Sequence, residues 1–340
     1  MQRVVIFLIS SAILVVMVSY FSTYVPPNDP FNETNSSSTF SVSGISQSKF
    51  AKMKLRHAAL SPTPYDVGIF GNSRALNISA KDIDRGACRF FNFSIGGESL
   101  RASAALIEQL SAIKKVPRVI IVSVDHFELQ MYNNPFFISA WARLLHFFDD
   151  LGAGLSSGAS LREITTVVWR TVWTQILSFQ RMFEYAFLAN TFRSMFGFAT
   201  DQTEAAKVYL SDGSRRSNIA STNIPPVLSA TNAQILPWQL KHDLGRIAAA
   251  KSAGVETIIL YESFLHPTSS KYFDDNPSAH ATRSREALLS TCEELGMKCI
   301  TSKPKMDPEM SWSDASHPPR SVLGPYISEL IAPYTPVCRS

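Results

Sequence analysis

Five short stretches of the chain, each with an apolar centre, read as strands: Val67-Gly68-Ile69-Phe70, Cys88 to Ile95, Arg118 to Val124, Glu256 to Tyr261 and Lys298 to Thr301. The runs Val67 to Phe70, Val119 to Val122 and Ile258 to Tyr261 are apolar without alternation, which is the pattern of strands buried on both faces. Between the later runs the apolar residues recur at helical spacing. One helix is predicted from Gln239 to Ala253, ending at Gly254, and another from about Pro277 to Leu295. Pro318-Pro319 then fixes the entry to a last amphipathic helix carrying Val322, Leu323, Tyr326, Ile327, Leu330 and Ile331. Strands alternating with helices predict an α/β fold, a mainly parallel five-stranded sheet covered on both faces in three layers.

One long segment interrupts the alternation. Residues 133–237 follow the third strand and hold many of the aromatics, among them Trp141, Phe147, Phe148, Trp169, Trp173 and Phe183. Their mostly helical spacing predicts a helical insertion packing its own core. The other reading of the same spacing is an amphipathic lid facing a membrane or an acyl-donating partner. Within it, Asp212-Gly213 reads as a turn in a polar loop, with Arg215 and Arg216 available to an anionic glycan.

The N-terminus has a different pattern. Val4 to Val25 is apolar apart from Ser, Thr and Tyr, and its 22 residues suffice to cross a bilayer core of roughly 30 Å. Arg3 precedes it, so the positive-inside rule places residues 1–25 as a signal anchor with the remainder outside the cytoplasm. Bulky residues at the positions of a cleavage site favour an uncleaved anchor over a removed signal peptide; the exported location is the same either way. Residues 26–48, rich in Ser, Asn, Thr and Pro, read as a flexible tether, leaving 49–340 as one α/β domain with its insertion.

Charge changes this picture little. With 32 Lys and Arg against 28 Asp and Glu, the net charge is +4 and the pI about 8.8. No basic cluster alternates with aromatics, which argues against nucleic acid as a partner. The four cysteines, Cys88, Cys292, Cys299 and Cys338, have no metal-ligand spacing. In an oxidising compartment a bridge across the turn between Cys292 and Cys299 would leave Cys88 with Cys338; the alternative is four buried thiols.

Candidate chemistry sits at the ends of these elements. Gly71 permits a sharp turn after the first strand, and Asn72-Ser73-Arg74 would lie where substrates bind, beyond the carboxyl ends of a parallel sheet. Ser73 is placed as a nucleophile, or Asn72-Ser73 merely caps a helix. Asp314-Ala315-Ser316-His317, just before the last helix, supplies an imidazole and a carboxylate able to orient it, or an N-cap and a surface histidine.

A strand followed by Gly-x-Ser near the start, with Asp-x-x-His before the last helix, resembles the SGNH/GDSL hydrolase superfamily from about Tyr65 to Tyr334. The resemblance implies a three-layer α/β/α fold, Ser73 as nucleophile, His317 as general base and Asp314 as its orienting carboxylate. It also implies an oxyanion hole formed by the N–H groups of Ser73 and of Gly96 or Gly97, at the end of Asn92-Phe93-Ser94-Ile95-Gly96-Gly97. Where the family has an Asn after the third strand, this chain has Asp125. An ionised Asp125 would repel an oxyanion, so it orders the loop or, as a neutral acid, donates a hydrogen bond. The altered block and the anchor resemble membrane-anchored SGNH-like proteins of bacterial cell-envelope acylation.

The expectation is a single-pass inner-membrane enzyme facing the periplasm or cell exterior. It would remove or transfer an acyl group, most simply acetyl, on an envelope carbohydrate without metal or organic cofactor, with a membrane-bound acyl-donor protein as a further partner. The alternative is a non-catalytic envelope scaffold on the same fold.

Overall fold

The computed structural model describes residues 31, 40–41, 47–80, 83, 88–96, 99–124, 140–169, 171, 208–209, 214–216, 236–264, 266–267, 270–271, 275, 280–301 and 317–334. The expected membrane span lies outside these residues, and no helix among them is long and apolar enough to cross a membrane.

Five strands form one sheet: β1 (Val67–Phe70), β2 (Phe90–Asn92), β3 (Val119–Val124), β4 (Thr257–Glu262) and β5 (Lys298–Ile300). Their order is β2-β1-β3-β4-β5 and every pairing is parallel. All six residues of β3 are buried, as expected of a central strand covered on both faces. Because side chains alternate along a strand, the sheet has two separate cores. Ile120, Val122, Val124, Ile258 and Leu260 point to one face, under helices α1 (Gln47–Leu60), α2 (Leu100–Ala112), α4 (Pro237–Ala248) and α5 (His280–Glu294). Val67, Ile69, Val119, Ile121 and Tyr261 point to the other, under α6 (Arg320–Ile331), which supplies Leu323, Ile327 and Ile331. Each such Ile or Leu removed from water contributes about 1.5–3 kcal/mol.

The N-terminal stretch expected as a tether is fixed to this domain at two points. Phe31 is fully buried, its ring 5.4 Å from His57 and 5.5 Å from Phe91. Phe40–Ser41 is a short strand paired antiparallel with Val208–Tyr209, which pairs in turn with Arg215–Arg216. Arg215 and Arg216 therefore lie on a strand and not in the polar loop the sequence suggested, with Asp212 and Gly213 outside the described residues.

In the insertion, α3 (Ala140–Ser156) and residues 161–169 are helical, in keeping with the apolar spacing. The docking of α3 onto the helical layer departs from an apolar seam. Arg101 on α2, 2 % exposed, forms a bidentate pair with the fully buried Asp150 of α3 and reaches Asp243 of α4 at 3.2 Å. Arg246 binds Glu108 at 2.6 Å and His146 Nδ1 at 2.6 Å. His242 lies 3.0 Å from Asp149. Meanwhile Leu145, Phe148 and Leu155 of the same helix are exposed.

A disulfide joins Cys292 to Cys299 across the turn from α5 to β5, with Cα atoms 6.1 Å apart. Cys88 is also disulfide-bonded; Cys338 lies outside the described residues.

Candidate active site

The turn after β1 is built around close backbone approach. Gly71 has φ +143°, and a Cβ there would stand 2.7 Å from Ser123 Cβ and 3.1 Å from Ser123 O. Only glycine allows the chain to cross β3 so tightly and in that conformation. Ser123 Oγ is in turn hydrogen-bonded to Ser263 Oγ at 2.6 Å, tying the ends of β3 and β4. Past Gly71, the Asn72 side chain accepts a hydrogen bond from the Arg74 N–H at 2.9 Å, so Asn72 shapes the turn and Ser73 projects from it.

The element that follows is a single 3-10 turn, Ala75–Asn77, rather than the helix the sequence suggested. The reason lies in β2. Asn92, fully buried, donates from Nδ2 to the carbonyls of Ala75 and Ile78, both at 2.8 Å. A continuing helix would offer those carbonyls to its own N–H groups. Asn92 Oδ1 accepts the Ser94 N–H at 2.9 Å, so one side chain joins the serine turn to the glycine block. The backbone adds to this, since Ile95 N–H donates to Gly71 O at 2.8 Å.

Beneath the block lies Lys54 of α1, also fully buried. Its ammonium donates to Asn92 O at 2.6 Å and Ser94 O at 2.7 Å and sits 4.6 Å from the Phe50 ring centroid. Sequence reasoning gave Lys54 no role. The available signal was a helix face reading Phe50, Met53, Lys54, His57, Ala58, in which a lysine occupies a core position. Asn92 had the matching signal of an amide between Phe91 and Phe93 in an apolar strand.

Across the site, His317 precedes Pro318 and Pro319, and Pro319 caps α6 with φ −64°. That fixed entry holds the imidazole against the serine turn: His317 Nε2 and Ser73 Oγ are hydrogen-bonded at 2.8 Å across 244 positions of sequence. With the ring proton on Nδ1, the serine hydroxyl donates to Nε2, the arrangement a general base requires. Both groups are half-buried, reachable by a substrate yet screened from bulk water. No family model, curated protein or solved structure matches this chain.

The other expected site residues divide clearly. Gly96 is described, half-buried in the turn after Ile95, and Arg74 is buried beside Ser73. Asp314, Gly97 and Asp125 lie outside the described residues.

Proposed function

We propose that this chain is an SGNH-like serine acyl-esterase or O-acyltransferase, anchored in a membrane through residues 4–25 and acting outside the cytoplasm on an acylated cell-envelope carbohydrate. The observation that carries the reading is the 2.8 Å hydrogen bond between Ser73 and His317 beyond the carboxyl ends of a parallel sheet.

In this mechanism Ser73 Oγ attacks the acyl carbonyl carbon while its proton passes to His317 Nε2. Collapse of the tetrahedral intermediate breaks the bond to the leaving oxygen, which takes the proton from His317, and the acyl group remains on Ser73. Water or a sugar hydroxyl then attacks the acyl-enzyme, giving its proton to His317, and Ser73 leaves as the protonated hydroxyl. Asp314 orients the imidazole and stabilises its charged form. The N–H groups of Ser73 and of Gly96 or Gly97 receive the developing oxyanion. Clamping by Asn92 and Lys54 supports this role, because donors held in place beforehand need no reorganisation at the moment of reaction.

The test is covalent trapping. The full chain in detergent, treated with a fluorophosphonate or an activated acetyl ester, should carry a single adduct on Ser73 by peptide mass spectrometry, and His317→Ala should abolish it. No adduct, or one that persists without His317, refutes the catalytic reading in favour of a scaffold. Adding a sugar acceptor to the acetylated enzyme separates transfer from hydrolysis by the product released.

A further inference from the structure

The strands are all parallel, so the end of the sheet opposite Ser73 is formed by residues just before β1, β2, β3 and β4. A cleft of about 640 Å³ opens there, between Tyr65, Asp66, Arg89, Lys114, Arg118 and Gly254. Three cations, Arg89, Lys114 and Arg118, meet Asp66 within it and Glu256 on its rim. Arg89 is immobilised: its guanidinium lies 4.9 Å over the Tyr65 ring and donates to Ser61 Oγ at 2.9 Å and Thr63 O at 3.0 Å. Arg118 is paired with Glu256 at 2.8 Å on the rim, and both remain solvent-accessible. Lys114 is exposed and lies in a left-handed conformation, φ 56°, at the end of α2. The cleft presents guanidinium and ammonium donors, a chemistry suited to a phosphodiester; the Ser111 hydroxyl beside them donates to Ile107 O at 2.8 Å.

The chain itself leads a bilayer toward this end. Phe31 packs against His57 and Phe91, His57 is hydrogen-bonded to Tyr65 at 2.6 Å, and Tyr65 lines the cleft. Only residues 26–30 separate the apolar run from Phe31, a reach of at most roughly 20 Å when fully extended. We propose that the cationic cleft is the face by which the domain rests on an anionic phospholipid surface, its ligand the headgroup phosphate. This rests on the reading of residues 4–25 as a membrane span. It points the Ser73 end away from the bilayer, so the acylated substrate is a carbohydrate standing beyond the headgroups and not a lipid ester within them.

The experiment is footprinting of the full chain in nanodiscs of phosphatidylglycerol or of phosphatidylcholine, using a water-soluble amine-acylating reagent with mass spectrometry. Lys114 should label several-fold more slowly in phosphatidylglycerol discs, while the exposed Lys271, following the carboxyl end of β4, labels equally in both. Arg118→Gln should reduce the protection of Lys114 and leave fluorophosphonate labelling of Ser73 unchanged. Equal labelling of Lys114 in the two discs overturns the proposal. So does equal protection by millimolar inorganic phosphate in detergent, which would mark a site for a soluble anion. Release of the chain from membranes by alkaline carbonate overturns the span itself and the proposal with it. The Ser73 adduct, measured separately, reports on the catalytic reading alone.

Discussion

The serine turn and the seam between α2, α3 and α4 both bury polar groups, and they do so by opposite means. At the turn, the buried amide of Asn92 and the ammonium of Lys54 bind backbone carbonyls. At the seam, Arg101 and Arg246 face Asp150, Asp243 and Glu108 directly. Hydrogen bonds to backbone carbonyls fix backbone positions to within a hydrogen-bond length, which a nucleophile's turn requires. Paired charges select a partner helix strongly but leave each ion dependent on the other, since an uncompensated buried charge costs far more than the pair contributes. The insertion is thus attached by specificity and the site by geometry.

The largest effect that would test this division is on chemistry. Ser73→Ala and His317→Ala should each lower turnover by several orders of magnitude, and the double variant by little more, because nucleophile and base act as one unit. Neither should change the urea midpoint appreciably. Additive losses in the double variant would mean that the two side chains act independently.

Next in size is the seam. Arg101→Met leaves Asp150 and Asp243 buried without their shared cation and should cost about 3–5 kcal/mol in urea unfolding. Replacing Asp150 and Asp243 by Asn and Leu in the same chain should recover much of it, since no carboxylate is then left buried without a cation and Arg246 keeps Glu108. Ser73 labelling by a fluorophosphonate should survive in the folded fraction. Loss of labelling at full stability would show that the seam controls the site.

The centre of the sheet was legible because strands buried on both faces are dominated by apolar residues; the expected ends of β1, β3 and β4 differ from the observed ones by at most one residue. The pairing of Ser73 with His317 was legible from the resemblance of the two blocks to the SGNH/GDSL pattern; Gly71 and Pro318-Pro319 alone left a helix cap and a surface histidine open. The Cys292–Cys299 bridge followed from proximity along the chain. The seam was not legible. Arg101 and Asp243 are 142 positions apart, and nothing local marks either as buried. Phe31 was hidden for the same reason, as an aromatic with polar or proline neighbours whose partners, His57 and Phe91, come from elsewhere.

A smaller effect is expected where the two regions can be compared residue for residue. Asn92→Ala removes two donors to buried carbonyls and should cost about 1–3 kcal/mol of stability. If Asn92 also holds the nucleophile, Ser73 acylation should slow by at least about tenfold with KM unchanged, since displacement of a reacting group by about 1 Å can cost on the order of 10²-fold. A stability loss without any change in acylation would make Asn92 part of the core alone.

The smallest effect is a pH dependence confined to the seam. Burial, and then the Arg246 guanidinium facing it, hold the His146 imidazole below its ordinary value of 6.5, against the opposing pull of Glu108 and Asp150. Between that lowered value and 6.5 the unfolded chain binds more protons than the folded one, so stability falls as pH drops through this window and is regained above it. Asp243 has the opposite sign. Burial raises its carboxyl above 3.8 despite Arg101, so its contribution is present at low pH and lost as pH rises through the raised value. His146→Gln should therefore flatten the loss of stability expected as pH drops below 6.5 in urea titrations, while Asp243→Asn should remove the opposing contribution that sets in above pH 3.8. Equal slopes in wild type and His146→Gln would mean that the imidazole titrates alike in both states, and that the seam's pH response comes from its carboxylates.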